Sequence, residues 1–177
     1  VYAATGDEAP DVDDPDRLAA LFAAVQELGE AGLIRAYHDR SDGGLFATLC
    51  EMAFAGGCGL EIALDVLGDD PIAAAFNEEL GAVIQVDKSR REAVDAVLAR
   101  HGLADHVHVL GRPTDDGEIS FRHLGATCIS EPRESLHAAW HETSYRMQAL
   151  RDNPECAEQQ YEQIVTGEAP ALRPRVT

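Results

Sequence analysis

His38-Asp39-Arg40-Ser41-Asp42-Gly43-Gly44 is the stretch on which the reading of this 177-residue chain turns. Before it, Leu33 to His38 reads as a short strand. Behind it, Leu45, Leu49, Met52 and Ala53 recur at helical spacing and stop at Gly56-Gly57. A strand that passes through a glycine-bearing turn into a helix is where ligands collect in open α/β sheets. Glycines let the backbone approach a ligand closely, and a helix start offers N–H groups to an anion. Asp39 and Asp42 are hard oxygen donors suited to magnesium, which takes carboxylates together with phosphate oxygens. Ser41 can bond a phosphate. The same residues also satisfy a plainer account, in which Ser41 or Asp42 caps the helix and the glycines only make a turn. Local chemistry leaves both open.

Outward from this stretch, helices and strands interleave. Residues 6–16 are acidic, carry two prolines and read as an exposed lead-in. Asp14-Pro15 is a helix start, followed by Leu18, Leu21, Phe22, Val25 and Leu28, with Gly32 as terminator. Downstream, Leu60, Ile62 and Leu64 alternate as a strand with one buried face. A short helix is expected near Ile72–Phe76. Ala82-Val83-Ile84 with Val86 reads as a continuous apolar strand, central in a sheet. Arg91 to Arg100 is a third long helix through Val94, Val97 and Leu98, which Gly102 can close. Val107 and Val109 alternate, as do Ile119 and Phe121 after the turn Asp115-Asp116-Gly117. Ala126 to Ile129 suggests an edge strand. A long helix from about Pro132 carries Leu136, Trp140, Met147 and Leu150, and Asn153-Pro154 starts a further short one. Gly167 to Thr177 reads as a linker. The sum is an α/β or α+β domain, a mixed β-sheet with helices mainly on one face. The expected divisions are a lead-in at 1–14, the domain at 15–152, and a helix and linker at 153–177.

Composition narrows the function. Hydrophobic residues make up 45% of the chain, enough for a packed core without disulfides or a structural metal. Lys and Arg number 14 against 32 Asp and Glu, a formal charge of -18. Such a field repels nucleic acid and anionic membranes. A phosphate ligand would need its charge met locally, by a metal or by backbone N–H groups. Cys50, Cys58, Cys128 and Cys156 form no C-x-x-C pair and read as reduced thiols of a cytoplasmic protein. No apolar run is long enough to span a bilayer. Val1-Tyr2-Ala3-Ala4-Thr5 carries neither an initiator Met nor a signal pattern, so a piece of a longer protein is expected.

Other candidates are weaker. Phe76-Asn77-Glu78-Glu79-Leu80-Gly81 sets two carboxylates and an amide before a buried strand, where a metal or ligand role competes with a solvated helix end. His38 could act as a general base or be a packed histidine bonded to backbone. His106 and His108 alternate on one presumed strand, yet no third ligand stands near them. Trp140 and Met147 share a helix face suited to core or interface.

Several motifs together carry a family resemblance. They are Ala36-Tyr37-His38-Asp39-Arg40-Ser41-Asp42-Gly43-Gly44-Leu45, Glu51-Met52-Ala53-Phe54-Ala55-Gly56, and Phe76 through Val86. Trp140-His141-Glu142-Thr143 and Leu150 through Ala157 complete them. In these the chain resembles the large, single-chain phosphoribosylformylglycinamidine synthase of the bacterial type. It is similar to the second B-type subdomain of that enzyme's synthetase core, an aminoimidazole ribonucleotide synthetase C-terminal-type domain. The resemblance implies part of an ATP-dependent ligase of purine biosynthesis. The whole enzyme converts formylglycinamide ribonucleotide, glutamine and ATP to the amidine. It implies Asp39 as a magnesium ligand and Ser41 as a contact to ATP or ADP, at an auxiliary nucleotide site completed by a neighbouring subdomain. It implies no catalytic residue here. The implied partners are the sister synthetase subdomains and a glutaminase domain of the same chain, and the isolated piece should not turn over.

Two rival readings come from other classes. In one, the domain is an assembly module whose loop is structural. In the other, the chain belongs to a different member of the superfamily, such as a selenophosphate synthetase or a hydrogenase maturation factor, which share the loop and the fold.

Overall fold

The computed structural model describes residues 11–167. Most of the expected lead-in, and the expected linker beyond Gly167, lie outside them. The chain separates into two compact units, each discontinuous in sequence. The first comprises the residues up to Met52 and Leu64–Leu110. The second comprises Ala53–Ala63 and the residues from Gly111 onward.

The first unit is built on two helices. Helix α1 (Pro15–Glu30) begins as its sequence dictates: the Asp14 carboxylate accepts the Arg17 amide at 3.0 Å, and Pro15 occupies the first turn. Gly32, at φ +62°, ends it in a left-handed conformation, and the Leu33 amide returns to the Leu28 carbonyl at 2.9 Å. The other, helix α4, spans Arg91–Arg100. Ala24 and Leu28 pack with Val94, Val97, Leu98, Leu33 and Leu103 in one buried cluster. Each fully buried large aliphatic there contributes roughly 1.5–3 kcal/mol.

Strand β1 (Ala36–Arg40) leads into helix α2 (Gly44–Gly56), whose last four residues, Ala53 to Gly56, belong to the second unit. Helix α3 (Pro71–Phe76) is capped by Asp70, whose carboxylate accepts the amides of Ile72 and Ala73. Strand β3 (Gly81–Gln85) pairs antiparallel with β1, with Asp39 opposite Ala82 and Arg40 opposite Gly81. The sequence suggested a strand central in a sheet. Among the described residues β3 instead pairs with β1 alone, in a two-stranded ribbon. Its apolar run finds cover from helices: Ile84 and the following Val86 pack against the α1–α4 cluster.

The second unit holds the mixed sheet. Strands β2 (Gly59–Ala63), β4 (Gly111–Thr114), β5 (Glu118–His123) and β6 (Ala126–Pro132) lie in the order β4-β2-β5-β6. Strand β2 runs antiparallel to β4 and parallel to β5, and β5 and β6 form an antiparallel hairpin. Leu60, Ile62, Ile119, Phe121 and His123 are buried in it. Two expectations need correction. Val107 and Val109 lie in irregular chain, and the strand falls instead at Gly111–Thr114. A Cβ at Gly111 would overlap the Glu61 carbonyl, so glycine there admits the close strand approach that valine would block. The turn Asp115-Asp116-Gly117 joins strands that are not neighbours, because β2 lies between them. The tight hairpin turns instead at Leu124-Gly125, both at positive φ.

Helices α5 (Arg133–Arg151) and α6 (Pro154–Thr166) are consecutive and pack together, and the Asn153 side chain caps α6 through the amides of Glu155 and Cys156. Tyr145 stacks on Tyr161 at 4.5 Å, and the Tyr161 hydroxyl donates to the Ala138 carbonyl. His137 stacks on Phe54 at 4.5 Å, with Trp140 beside both rings. His106 lies in a 3-10 turn and His108 in irregular chain, so the pair shares no strand face. Among the described residues, no helix is long and apolar enough to cross a membrane.

Candidate functional site

The period-two geometry of β1 sorts its side chains. Tyr37 and Asp39 are exposed, while His38 and Arg40 turn to the half-buried side. Asp39 therefore presents its carboxylate to solvent, 67% exposed. The His38 ring is held at both nitrogens. Nδ1 is 2.7 Å from the Asp39 carbonyl oxygen, and Nε2 is 2.8 Å from a Glu51 carboxylate oxygen. The packed-histidine alternative describes it better than the general-base one.

The turn after β1 is closed by the main chain. The Gly44 amide donates to the Ser41 carbonyl at 2.9 Å, and Gly43 and Gly44 sit at φ +79° and +65°. These two residues need glycine for conformation. Gly44 needs it for space too, since a Cβ there would lie 2.7 Å from the Phe76 carbonyl carbon and 2.8 Å from the Asn77 oxygen. Ser41 and Asp42 are exposed beside this turn.

The two stretches that the sequence offered as separate candidates meet here. The Gly43 amide donates to a Glu78 carboxylate oxygen at 2.8 Å. The Arg40 guanidinium donates to the carbonyls of Glu79 and Leu80. Burial draws Arg40 below the usual arginine range, against the raising effect of Glu79. The Asn77 side chain accepts the Glu79 amide at 2.6 Å and fixes the local turn. Phe46 of α2 meets Phe76 at the end of α3, their ring centres 5.2 Å apart.

Thr48 is a structural member that sequence reading passed over. It is 2% exposed, and its hydroxyl lies 3.0 Å from the Gly44 carbonyl and 3.3 Å from the Asp39 carbonyl. It ties the start of α2 to the end of β1. The available signal was a hydroxyl at the i+3 position of the apolar stripe Leu45, Leu49, Met52.

The chemistry this arrangement allows is limited and specific. Among the described residues, no group of three or more His, Cys, Asp or Glu is arranged to hold a metal ion. Magnesium, though, is commonly held by one or two carboxylates with substrate phosphates and water. An exposed Asp39 fits the part of a single contributed ligand and does not amount to a site by itself. The thiols stand apart from this chemistry. Cys50 is buried, and burial with help from Glu51 pushes it up to about 12.

Comparison with known proteins agrees with this architecture. Residues 2–123 match the family described as AIR synthase related protein, C-terminal domain. The chain belongs to this family. Its AIR synthase-related fold extends to solved structures. Phosphoribosylformylglycinamidine synthase II from Thermotoga maritima superposes with a TM-score of 0.63 at 19% identity, over 75% of this chain and 24% of that one. T. maritima PurL complexed with ADP superposes with a TM-score of 0.60 at 15% identity, over 88% of this chain and 30% of that one. HypE of E. coli, a hydrogenase maturation protein, superposes at 0.53 with 27% identity, over 60% of this chain and 38% of that one. At these identities the PurL likeness is one of fold. The chain spans about a quarter of the length of such PurL chains. With the family match, this is the fold of a PurL-like segment.

Proposed function

We propose that this AIR synthase-related domain is a subdomain of a cytoplasmic phosphoribosylformylglycinamidine synthase, an ATP-dependent ligase of purine biosynthesis that takes its nitrogen from glutamine. Asp39 contributes one ligand to magnesium, and Ser41 contacts ATP or ADP at an auxiliary nucleotide site. A neighbouring synthetase subdomain completes that site, and a glutaminase domain supplies ammonia elsewhere in the enzyme. The observation that carries this reading is the exposed Asp39 carboxylate at the end of β1, beside a turn shaped by two left-handed glycines. Support comes from the related fold of T. maritima PurL, solved in complexes with ATP, FGAR and ADP. The motifs shared with the large single-chain synthase support it as well.

When bound, magnesium would supply charge neutralisation for the nucleotide phosphates. The chain's own residues do the rest. The β1–β3 register fixes where Asp39 points, Thr48 and Gly44 fix the turn, and Ser41 offers a hydroxyl from the turn's first position. The test is calorimetric titration of ADP with magnesium into the complete synthetase. Asp39→Ala should weaken binding about tenfold or more, the scale of losing one charged contact, while Asp42→Ala leaves it nearly unchanged. Unimpaired binding by Asp39→Ala overturns the assignment.

A second reading has its own observation. Trp140, Met147 and Leu150 on α5 are exposed, Leu150 by 89%. This supports a role in assembly against sister subdomains, with the loop purely structural. Ser41→Ala that lowers the thermal midpoint yet leaves nucleotide occupancy intact would favour it.

A further inference from the structure

The turn that should welcome a phosphate already holds an anion of its own. The Gly44 amide is spent on the Ser41 carbonyl, and the Gly43 amide on the Glu78 carboxylate. The nearest arginine gives no counter-charge to the turn, because Arg40 is turned to the carbonyls of Glu79 and Leu80. Asp39 and Asp42 stand exposed on either side of Ser41. The main chain on which Glu78 sits is fixed by other groups. Arg40 bonds two of its carbonyls, Asn77 closes a local turn on the Glu79 amide, and Gly44 lies against Phe76 and Asn77. Glu78 itself is exposed, so its side chain can swing away while its base stays in place.

We propose that Glu78 is a specificity residue of this turn, an internal carboxylate that an incoming phosphate oxygen must displace from the Gly43 N–H. The proposal rests on the nucleotide reading given above and adds a selection to it. Exchange leaves the amide bonded throughout, first to carboxylate and then to phosphate, so no donor is stranded. The displaced carboxylate remains tethered beside the turn, which already carries the exposed Asp39. A bare polyphosphate then meets like charge at short range and is refused. A polyphosphate that brings a divalent cation meets carboxylates that attract it. Glu78 thus makes the turn discriminate between metal-charged and metal-free polyphosphate, a choice that neither glycine nor Ser41 can make.

The test uses the full 177-residue chain labelled with 15N, so that weak binding is read from the Gly43 amide resonance. Pyrophosphate and ADP are each titrated without divalent metal, then with magnesium, into wild type, Glu78→Gln and Glu78→Ala. Removing one partly exposed like charge should tighten metal-free pyrophosphate binding about three- to tenfold, more in Glu78→Ala, which also frees the amide. The advantage conferred by magnesium should shrink in both variants. Equal metal-free affinity in all three proteins overturns the proposal, and if ADP still binds, the nucleotide reading survives. Weaker binding in Glu78→Ala, rescued in Glu78→Gln, also overturns it, since that pattern marks a residue that merely positions the turn. Tighter pyrophosphate binding with no ADP binding to this chain still supports the selection, and the nucleotide reading is then decided by the titration of the complete synthetase, where a neighbouring subdomain completes the site.

Discussion

Gly44 and Phe76 touch backbone to backbone. A Cβ on Gly44 would stand 2.7 Å from the Phe76 carbonyl carbon, and Gly44 is itself at φ +65°. Gly44→Ala therefore combines a left-handed backbone penalty of about 1–2 kcal/mol with an overpacking cost of about 1–3 kcal/mol. A loss of about 2–5 kcal/mol in urea unfolding is expected. Gly29→Ala, with open space around it in α1, should be neutral or slightly stabilising by the same measurement.

Thr48 offers a smaller effect of a different kind. Its buried hydroxyl serves the Gly44 and Asp39 carbonyls, and Thr48→Val keeps the shape while deleting the donor. The loss should be about 1 kcal/mol by denaturant unfolding. Hydrogen exchange should quicken around residues 39–48 and leave α4 unaffected.

Glu27 makes the stability of the first unit depend on pH. Its carboxylate is bonded by His101 at 2.7 Å and by Arg100, and these bonds hold it below the usual carboxylate range. The group's contribution is therefore present above the unfolded carboxylate pKa. It is lost as pH falls through the lower, folded value. The thermal midpoint of wild type should fall more steeply on acidification through that window than that of Glu27→Gln.

His137 gives an optical handle on the second unit. Burial first, then His141 and Arg133, hold its ring below the usual imidazole range, against Glu134. The fold thus favours the neutral ring, and stability is lost as pH falls from the unfolded imidazole value toward the folded one. Trp140 lies 6.0 Å from His137, so formation of the His137 imidazolium should quench its fluorescence. His137→Gln should diminish the quenching seen on acidification.

The thiols should separate by exposure. Cys128 and Cys156 are exposed and should react with an aromatic disulfide reagent in the native state. Cys50, buried and pushed up to about 12, should react only after unfolding. Native labelling of Cys50 at the rate of Cys128 would contradict the packing of α2.

Elements were legible in the sequence where local chemistry decides them. Asp14-Pro15 and Gly32 bound α1, the short helix expected near Ile72–Phe76 is α3, and Arg91 to Arg100 is α4 as its periodicity requires. Pairing was less legible, because strand partners are chosen by distant residues. Nothing near Asp115 announces that β2, some fifty residues earlier, will lie between β4 and β5. Nor does an apolar run such as Ala82 to Val86 tell whether strands or helices will cover it. The candidate loop was readable as chemistry, and Asp39 fell on the open face as a strand alternation allows. Its union with Glu78 was not readable, since the two partners stand 35 residues apart and share no periodic pattern.

The strand order β4-β2-β5 also has a consequence for the order of events on the ribosome. Strand β2 is made early, yet both of its neighbours lie beyond Leu110. While residues 64–110 are being synthesised, β2 has two unsatisfied edges and an apolar face that includes Leu60 and Ile62. The first unit can assemble its own helices in that interval. The second closes only when the strands from Gly111 onward arrive, and loop closure over that distance is slow. Nascent chains arrested near Leu110 are therefore the species most exposed to aggregation through β2.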